Sequence, residues 1–381
     1  MSREVSPSSS TMTDPQSNAD QQYAADLESA RSSNKEEMQQ AVQKIREMYD
    51  SGLPFFTKDA LRETMQQMEN IEKGQPGTVS VRGLDGTIAQ FSVQTGEIVS
   101  DIEDIERPGV EKFYSQARLQ YETVEHLTAL DDPMAFQPSF AYLPWKIVHA
   151  IQYRDATTKT VIPKCAHLPF EEVKEHFHRK RAEWEAAKQC EELRAILHSA
   201  DIPPVRKIVA FACSTMTWDD ECRHRSTVQH ALILTLRDIL AKRSNSGNPD
   251  TIACYAQDPV YTDSDRRVLE EAGIAVLDDP KGFLEMDEET VVLSLAPDIP
   301  VRQITADLTR PAMMVWDKVV DRQSQPPPAE SHSGIRCLCL PADPVSPRVK
   351  SMVQSYVELD FPRDPVNFGR GTTIYIRRSP A

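Results

Sequence analysis

The stretch Val205-Arg-Lys-Ile-Val-Ala-Phe-Ala-Cys-Ser-Thr215 constrains the fold most. Ile208 to Phe211 is a short apolar run after Pro203-Pro204 and two basic residues, the pattern of a strand buried on both faces. A loop from Met216 to Arg225 follows, and Ser226-Thr-Val-Gln229 has the capping-box pattern for a helix start. Ala231, Leu232, Ile233, Leu234, Leu236, Ile239 and Leu240 are apolar almost all the way round, which predicts a deeply packed helix. Strand, loop and buried helix form the first unit of a parallel α/β sheet.

The rhythm repeats downstream. Strands are expected at 251–256, 274–277, 290–295 and 312–316. Thr262-Asp-Ser-Asp265 caps a helix carrying Val268 and Leu269, Gly273 stops it, and a further helix carries Val301, Ile304 and Leu308. Alternating strands and helices imply right-handed crossovers and a Rossmann-like, mostly parallel sheet with helices on both faces. Ile335 to Leu340 and Thr372 to Ile376 read as added C-terminal strands, with a helical face of Val349, Met352, Val353, Tyr356 and Val357 between them.

The N-terminal part reads differently. Residues 1–33 are poor in apolar side chains and are expected to be disordered. Residues 34–139 read as a helical and β-hairpin extension. Met38, Val42 and Ile45 mark one helix, and Leu61, Met65, Met68 and Ile71 a second. An Asp85-Gly86 hairpin turn follows, and a third helix is expected over 110–130 from Phe113, Ala117, Leu119 and Tyr121. A strand at 145–153 and one long charged helix at 169–198 lead into the core, which is assigned to 140–320. The Pro-rich stretch 321–334 reads as a linker or loop, and 335–381 as strands and a helix completing the core.

Composition narrows the function classes. A formal net charge of -15 lacks the basic footprint that nucleic acids demand. No apolar run is long enough to span a bilayer and no signal-peptide core is evident, so a cytoplasmic, or also nuclear, protein is expected. Seven scattered cysteines fit reduced thiols rather than a disulfide framework.

Open α/β sheets bind ligands beyond the carboxyl ends of their strands. The first crossover has no glycine from Val205 through Arg225 and carries Asp219, Asp220 and Glu221, so a standard dinucleotide or P-loop site is not expected. Ser214 and Thr215 either hydrogen-bond a small ligand or simply satisfy backbone at the strand end. Arg223 offers a local positive charge. Asp258 ends the second strand, where an acid can bind a ribose hydroxyl, but an Asp-Pro turn explains it too. Asp298 would face the same crevice, and two carboxylates there suit acid/base work or lie in water. Cys213, Cys222, His224 and His230 do not have zinc-site spacing, and His230 reads as a hydrogen-bonded core histidine. No metal site is expected, and no cofactor is identifiable.

Lys207-Ile-Val-Ala-Phe-Ala-Cys-Ser-Thr215, Gln229-His-Ala-Leu-Ile-Leu-Thr-Leu-Arg-Asp238 and Gln257-Asp-Pro-Val-Tyr-Thr262 resemble the core of the sensitivity-to-red-light-reduced (SRR-like) domain. So does Leu269-Glu-Glu-Ala-Gly-Ile-Ala-Val-Leu277. The 294–303 segment, Arg310-Pro-Ala-Met-Met-Val-Trp316, Tyr49-Asp-Ser-Gly-Leu-Pro-Phe-Phe-Thr57 and Asn367-Phe-Gly-Arg-Gly-Thr-Thr-Ile-Tyr-Ile-Arg377 resemble its fungal branch. The resemblance is firmest over about 140–320, and the order and spacing of the motifs carry it. It implies a Rossmann-like domain of no established general activity, whose members are linked to light and clock signalling, haem regulation and cytoskeletal phenotypes. Two departures matter. Ala212-Cys213-Ser214 stands where many relatives have a Gly-Leu-Gly-like turn, and Ala296-Pro297-Asp298-Ile299-Pro300 stands where many have Pro-His-Cys-Pro. The expectation is a regulatory module that binds a small molecule or a protein partner. The alternative is a transferase or oxidoreductase with a nucleotide-type cofactor in the same crevice.

Overall fold

The computed structural model describes residues 15–72, 77–99, 109–129, 136–163, 167–218, 221–243, 248, 251–320, 341–369 and 371–379, with side chains from residue 32 on except that of Glu221. The chain opens with α1 (Pro15–Asp50) and α2 (Lys58–Glu72). Gly52, at φ +87°, lets the chain turn after α1, a conformation costly for a residue with a Cβ. β1 (Thr78–Arg82) and β2 (Ile88–Ser92) form the antiparallel hairpin that the Asp85-Gly86 turn predicts. β3 (Val110–Tyr121), α3 (Val124–Thr128), β4 (Trp145–Asp155) and β5 (Val161–Ile162) follow, and the three strands make a small antiparallel sheet. Then come α4 (Phe170–Glu185) and α5 (Lys188–Ser199).

The main sheet is built from β6 (Lys207–Phe211), β7 (Ala253–Gln257), β8 (Ile274–Val276), β9 (Thr290–Ser294) and β10 (Met313–Asp317), all parallel. β11 (Tyr356–Asp360) and β12 (Thr372–Arg377) add an antiparallel edge. The order is β11-β12-β10-β9-β6-β7-β8. The crossovers run through α6 (Glu221–Arg243), α7 (Asp263–Glu271), α8 (Lys281–Glu285) and α9 (Val301–Leu308), and α10 (Pro347–Val353) precedes β11. This is the expected Rossmann-like α/β sheet, with helices on both faces.

Both faces are buried because the strands alternate between two apolar layers. Ile208, Ala210, Val291, Leu293, Met313 and Val315 pack with α4, α5, α6 and α7. Val209, Phe211, Val292, Met314 and Trp316 pack with α8, α9 and α10. That second layer also contains Ile45, Tyr49, Phe56, Leu61, Val79, Leu119, Tyr121 and Trp145 from the N-terminal segment. The segment is therefore one wall of the sheet's core. Polar ties reinforce it. Phe55 N and Phe56 N donate to Asp307 Oδ2 at 2.7 and 3.1 Å. Arg348 donates to Asp307 Oδ1 and to the carbonyls of Tyr49 and Leu53.

Several expectations need correction. The segment 110–121 is a strand with a register shift between Tyr114 and Ala117; Phe113, Ala117, Leu119 and Tyr121 are buried, and Phe113, Ala117 and Tyr121 lie four apart. That spacing mimics a helix. The helix expected from Asn34 begins at Pro15, since the intervening sequence has no Gly or Pro after Pro15 and is rich in Ala and Gln. The charged helix expected over 169–198 is two helices that break at Ala186-Ala187, where Ala187 is extended at ψ 146°. α6 starts at Glu221 instead of after a Ser226 cap, because the Ser226 hydroxyl donates to Ser214 O at 2.7 Å. Tyr356 and Val357 belong to β11, the helix having ended at Val353. The expected strand 335–340, with Cys337 and Cys339, and the linker 321–334 lie outside the described residues.

Candidate functional site

Among the parallel strands the order is β8-β7-β6-β9-β10, so the chain winds one way from β6 and the other way from β9. The reversal opens a crevice at the carboxyl ends of these two neighbours, where such sheets take ligands. The backbone is strained there. Ala212 and Ser214 after β6, and Ala296 after β9, hold φ of 58°, 61° and 51°. Each such residue costs on the order of 1 kcal/mol, and this kind of strain clusters at functional sites. Ala212 and Ser214 are the outer positions of the turn where related sequences resemble Gly-Leu-Gly. The turn thus keeps a glycine-type backbone under non-glycine side chains.

Asp258 bridges the two sides. Its Oδ2 accepts from Ser214 N at 2.8 Å and its Oδ1 from Val260 N at 3.1 Å. Burial raises its pKa, the two N–H bonds pull it down, and Asp298 across the crevice pushes it up again. Asp298 is exposed. Ser214 and Asp258 are joined by a hydrogen bond, and Asp298 is near enough for its charge to act on Asp258.

Thr215 and Arg223 do not join them. Thr215 is fully buried and its hydroxyl donates to Asp265 Oδ2 at 2.6 Å while accepting from Thr217 N at 3.0 Å. Of its two readings the structural one describes it. Arg223 is buried against α4, with Nη2 donating to Glu172 O at 3.2 Å and Nη1 3.6 Å from Glu172 Oε1. It anchors the start of α6.

Sequence reasoning passed over the residues that hold the crevice in shape. Asp265 read as a helix cap, which it is: Thr262 and Asp265 form a reciprocal capping box. Asp265 is also fully buried and accepts from Met216 N at 2.7 Å as well as from Thr215, so it ties the first crossover to α7. Gln257 Nε2 and Tyr121 Oη both donate to Asp279 Oδ1, at 2.9 and 2.7 Å. Burial pushes the Asp279 carboxyl up to about 7. Gln257 Oε1 accepts from Gly282 N at 2.7 Å, and a Cβ at Gly282 would lie 2.7 Å from that oxygen and 2.9 Å from the Phe211 ring. Only a contact between distant segments makes these residues special, so no local pattern announces them.

The nucleophiles are insulated. Burial drives the Cys213 thiol far above its ordinary value and lifts Cys254 to about 12, so neither carries thiolate near neutral pH. His230 is the core histidine that the sequence suggests. Its Nδ1 donates to Ser226 O at 2.8 Å, so Nε2 accepts from Tyr261 Oη at 2.7 Å, and burial lowers its pKa to about 4. Among the described residues no three His, Cys, Asp or Glu side chains converge as a metal cage requires.

Fold and crevice define a doubly wound α/β protein with a ligand-type switch point. Residues 173–353, from α4 through α10, match the family model of the SRR1 domain. The match is confined to this segment, a little under half of the chain. The matched span reaches further toward the C-terminus than the 140–320 core assigned from sequence, and it leaves the N-terminal wall outside. A search of curated proteins finds no match to the chain.

Proposed function

We propose that this protein is a regulatory binding module whose switch-point crevice takes a small ligand bearing a cationic or strongly hydrogen-bond-donating group. The observation that carries this reading is Asp258, a largely buried carboxylate whose ionisation is made harder by burial and by the nearby Asp298, beside the strained turns at Ala212, Ser214 and Ala296. A bound cation relieves that repulsion. A nucleotide phosphate would add to it, and the acidic run Asp219-Asp220-Glu221 in the first crossover works in the same direction. This favours a binding role over the alternative of an enzyme with a nucleotide-type cofactor. Burial keeps the Cys213 thiol, next to the Ser214 turn, protonated and a poor nucleophile.

The test is a thermal-shift panel of diamines, guanidinium compounds and N-methylated amines run beside nucleotides, flavins and haem. The reading expects hits among the cations. Hits confined to nucleotides would support the enzyme alternative, and an unresponsive panel would point to a protein partner.

A further inference from the structure

At the far side of the molecule β11 is the edge of the main sheet, with β12 as its one strand partner among the described residues. Arg378 N donates to Ser355 O at 3.2 Å, which fixes the phase of the ladder. In an antiparallel pair hydrogen-bonded and open positions alternate, so Val357 and Leu359 turn their backbone groups toward β12. Glu358 turns its N–H and C=O outward. The preceding outward carbonyl, that of Tyr356, is covered by Arg378 Nε at 3.4 Å, so the open stretch starts at Glu358.

Exposed edges are normally blunted by short length, proline, lysine or bulges. The opposite edge strand, β8, has three residues. β11 is five residues of Tyr-Val-Glu-Leu-Asp with a continuous register and none of those devices. Beside it, between α5 and the edge, runs a groove of about 660 Å3 with Ile196, Val357, Leu359 and Ile376 among its lining residues. Val357 is 42% exposed. A strand edge flanked by a helix and an apolar floor is a geometry for strand addition, in which backbone bonds give affinity and alternate side chains give specificity.

We propose that β11 and this groove dock an extended peptide segment of a partner protein, with apolar residues set toward Val357 and Leu359 and a basic residue opposite Glu358. Charge argues for the basic residue. On the face away from the groove a residue directly across from Glu358 meets its carboxylate, which Lys318 Nζ approaches to 2.5 Å, and Asp360 adds a second carboxylate nearby. Opposite charges directly across a ladder stabilise it and like charges destabilise it. The same rule disfavours a second copy of this chain, because self-pairing centred on Glu358 sets that carboxylate against its own copy.

The experiment uses the full chain and two fluorescein-labelled heptapeptides in anisotropy titrations, one with Val alternating with Arg and one with Val alternating with Glu. The Val/Arg peptide is expected to bind saturably and the Val/Glu peptide about tenfold or more weaker. Glu358→Pro removes the outward N–H without touching a β12 bond, and is expected to abolish binding while the melting curve stays cooperative. Glu358→Lys, which keeps the backbone donor, is expected to reverse the preference between the peptides. The proposal is overturned if the Val/Arg peptide fails to saturate, if both peptides bind equally, or if Glu358→Lys leaves the preference unchanged. A wild-type dimer in sedimentation that Glu358→Pro dissolves would also overturn it, by giving the edge to a second copy.

Discussion

Asp258 shows how a residue read from position alone acquires a second duty. The sequence places it at the end of β7, where it is either a ligand contact or a turn residue. In the structure both oxygens accept backbone N–H groups, from Ser214 and Val260, so it also holds the strained turn. Asp258→Asn turns an amide toward one of those N–H groups. A loss of about 1–3 kcal/mol in unfolding free energy is expected from urea denaturation, larger than a free turn residue would give. Asp265→Ala strands Met216 N and the Thr215 hydroxyl in the core and removes one half of the α7 capping box, and should cost about 3–5 kcal/mol in the same assay. Asp279 gives a pH signature. Its folded pKa, about 7, lies above the unfolded value, so the native state holds the proton more tightly. Its contribution to stability is fully present below the ordinary carboxylate range and is lost as pH rises toward 7. Asp279→Asn keeps an acceptor for Tyr121 and Gln257. The wild-type minus variant difference in unfolding free energy should therefore fall between pH 4 and pH 7, and a flat difference would contradict the assignment.

Elements were legible where one period dominated. β6, with every position after Lys207 buried, and the apolar middle of α6 from Ala231 to Leu234 carry patterns that admit one reading. β3 carries two, because Phe113, Ala117 and Tyr121 lie four apart, a spacing that a strand and a helix share. The break between α4 and α5 has neither proline nor glycine, so only packing sets it. The crevice divides along the same line. Its strand-end residues follow from topology, whereas the supports Asp265, Gln257 and Asp279 depend on contacts between segments far apart in sequence. The strand assignment of β3 is tested by a paired substitution. Leu119→Ala empties a core position and should cost about 2–5 kcal/mol. Gln120→Lys and Arg118→Gln, both on the exposed face, should stay within about 0.5 kcal/mol.

For the whole molecule, the N-terminal segment is a layer of the core although it lies outside the family match. Without it Phe211, Val292, Met314 and Trp316 would lose the cover supplied by Phe56, Leu61 and Tyr121. Removing residues 1–139 should therefore abolish cooperative thermal unfolding and expose dye-binding apolar surface, whereas the full chain unfolds cooperatively. The central claim, that Asp258 and Asp298 form one cation-accepting site at the switch point, is best tested at Asp298. That residue is exposed. The measurement is a calorimetric titration of wild type and Asp298→Asn with the tightest cationic hit, at matched ionic strength and with melting temperatures recorded. The account predicts equal melting temperatures and a loss of about 1.5–3 kcal/mol in binding, a tenfold or greater rise in Kd. Equal affinities for the two proteins would contradict it.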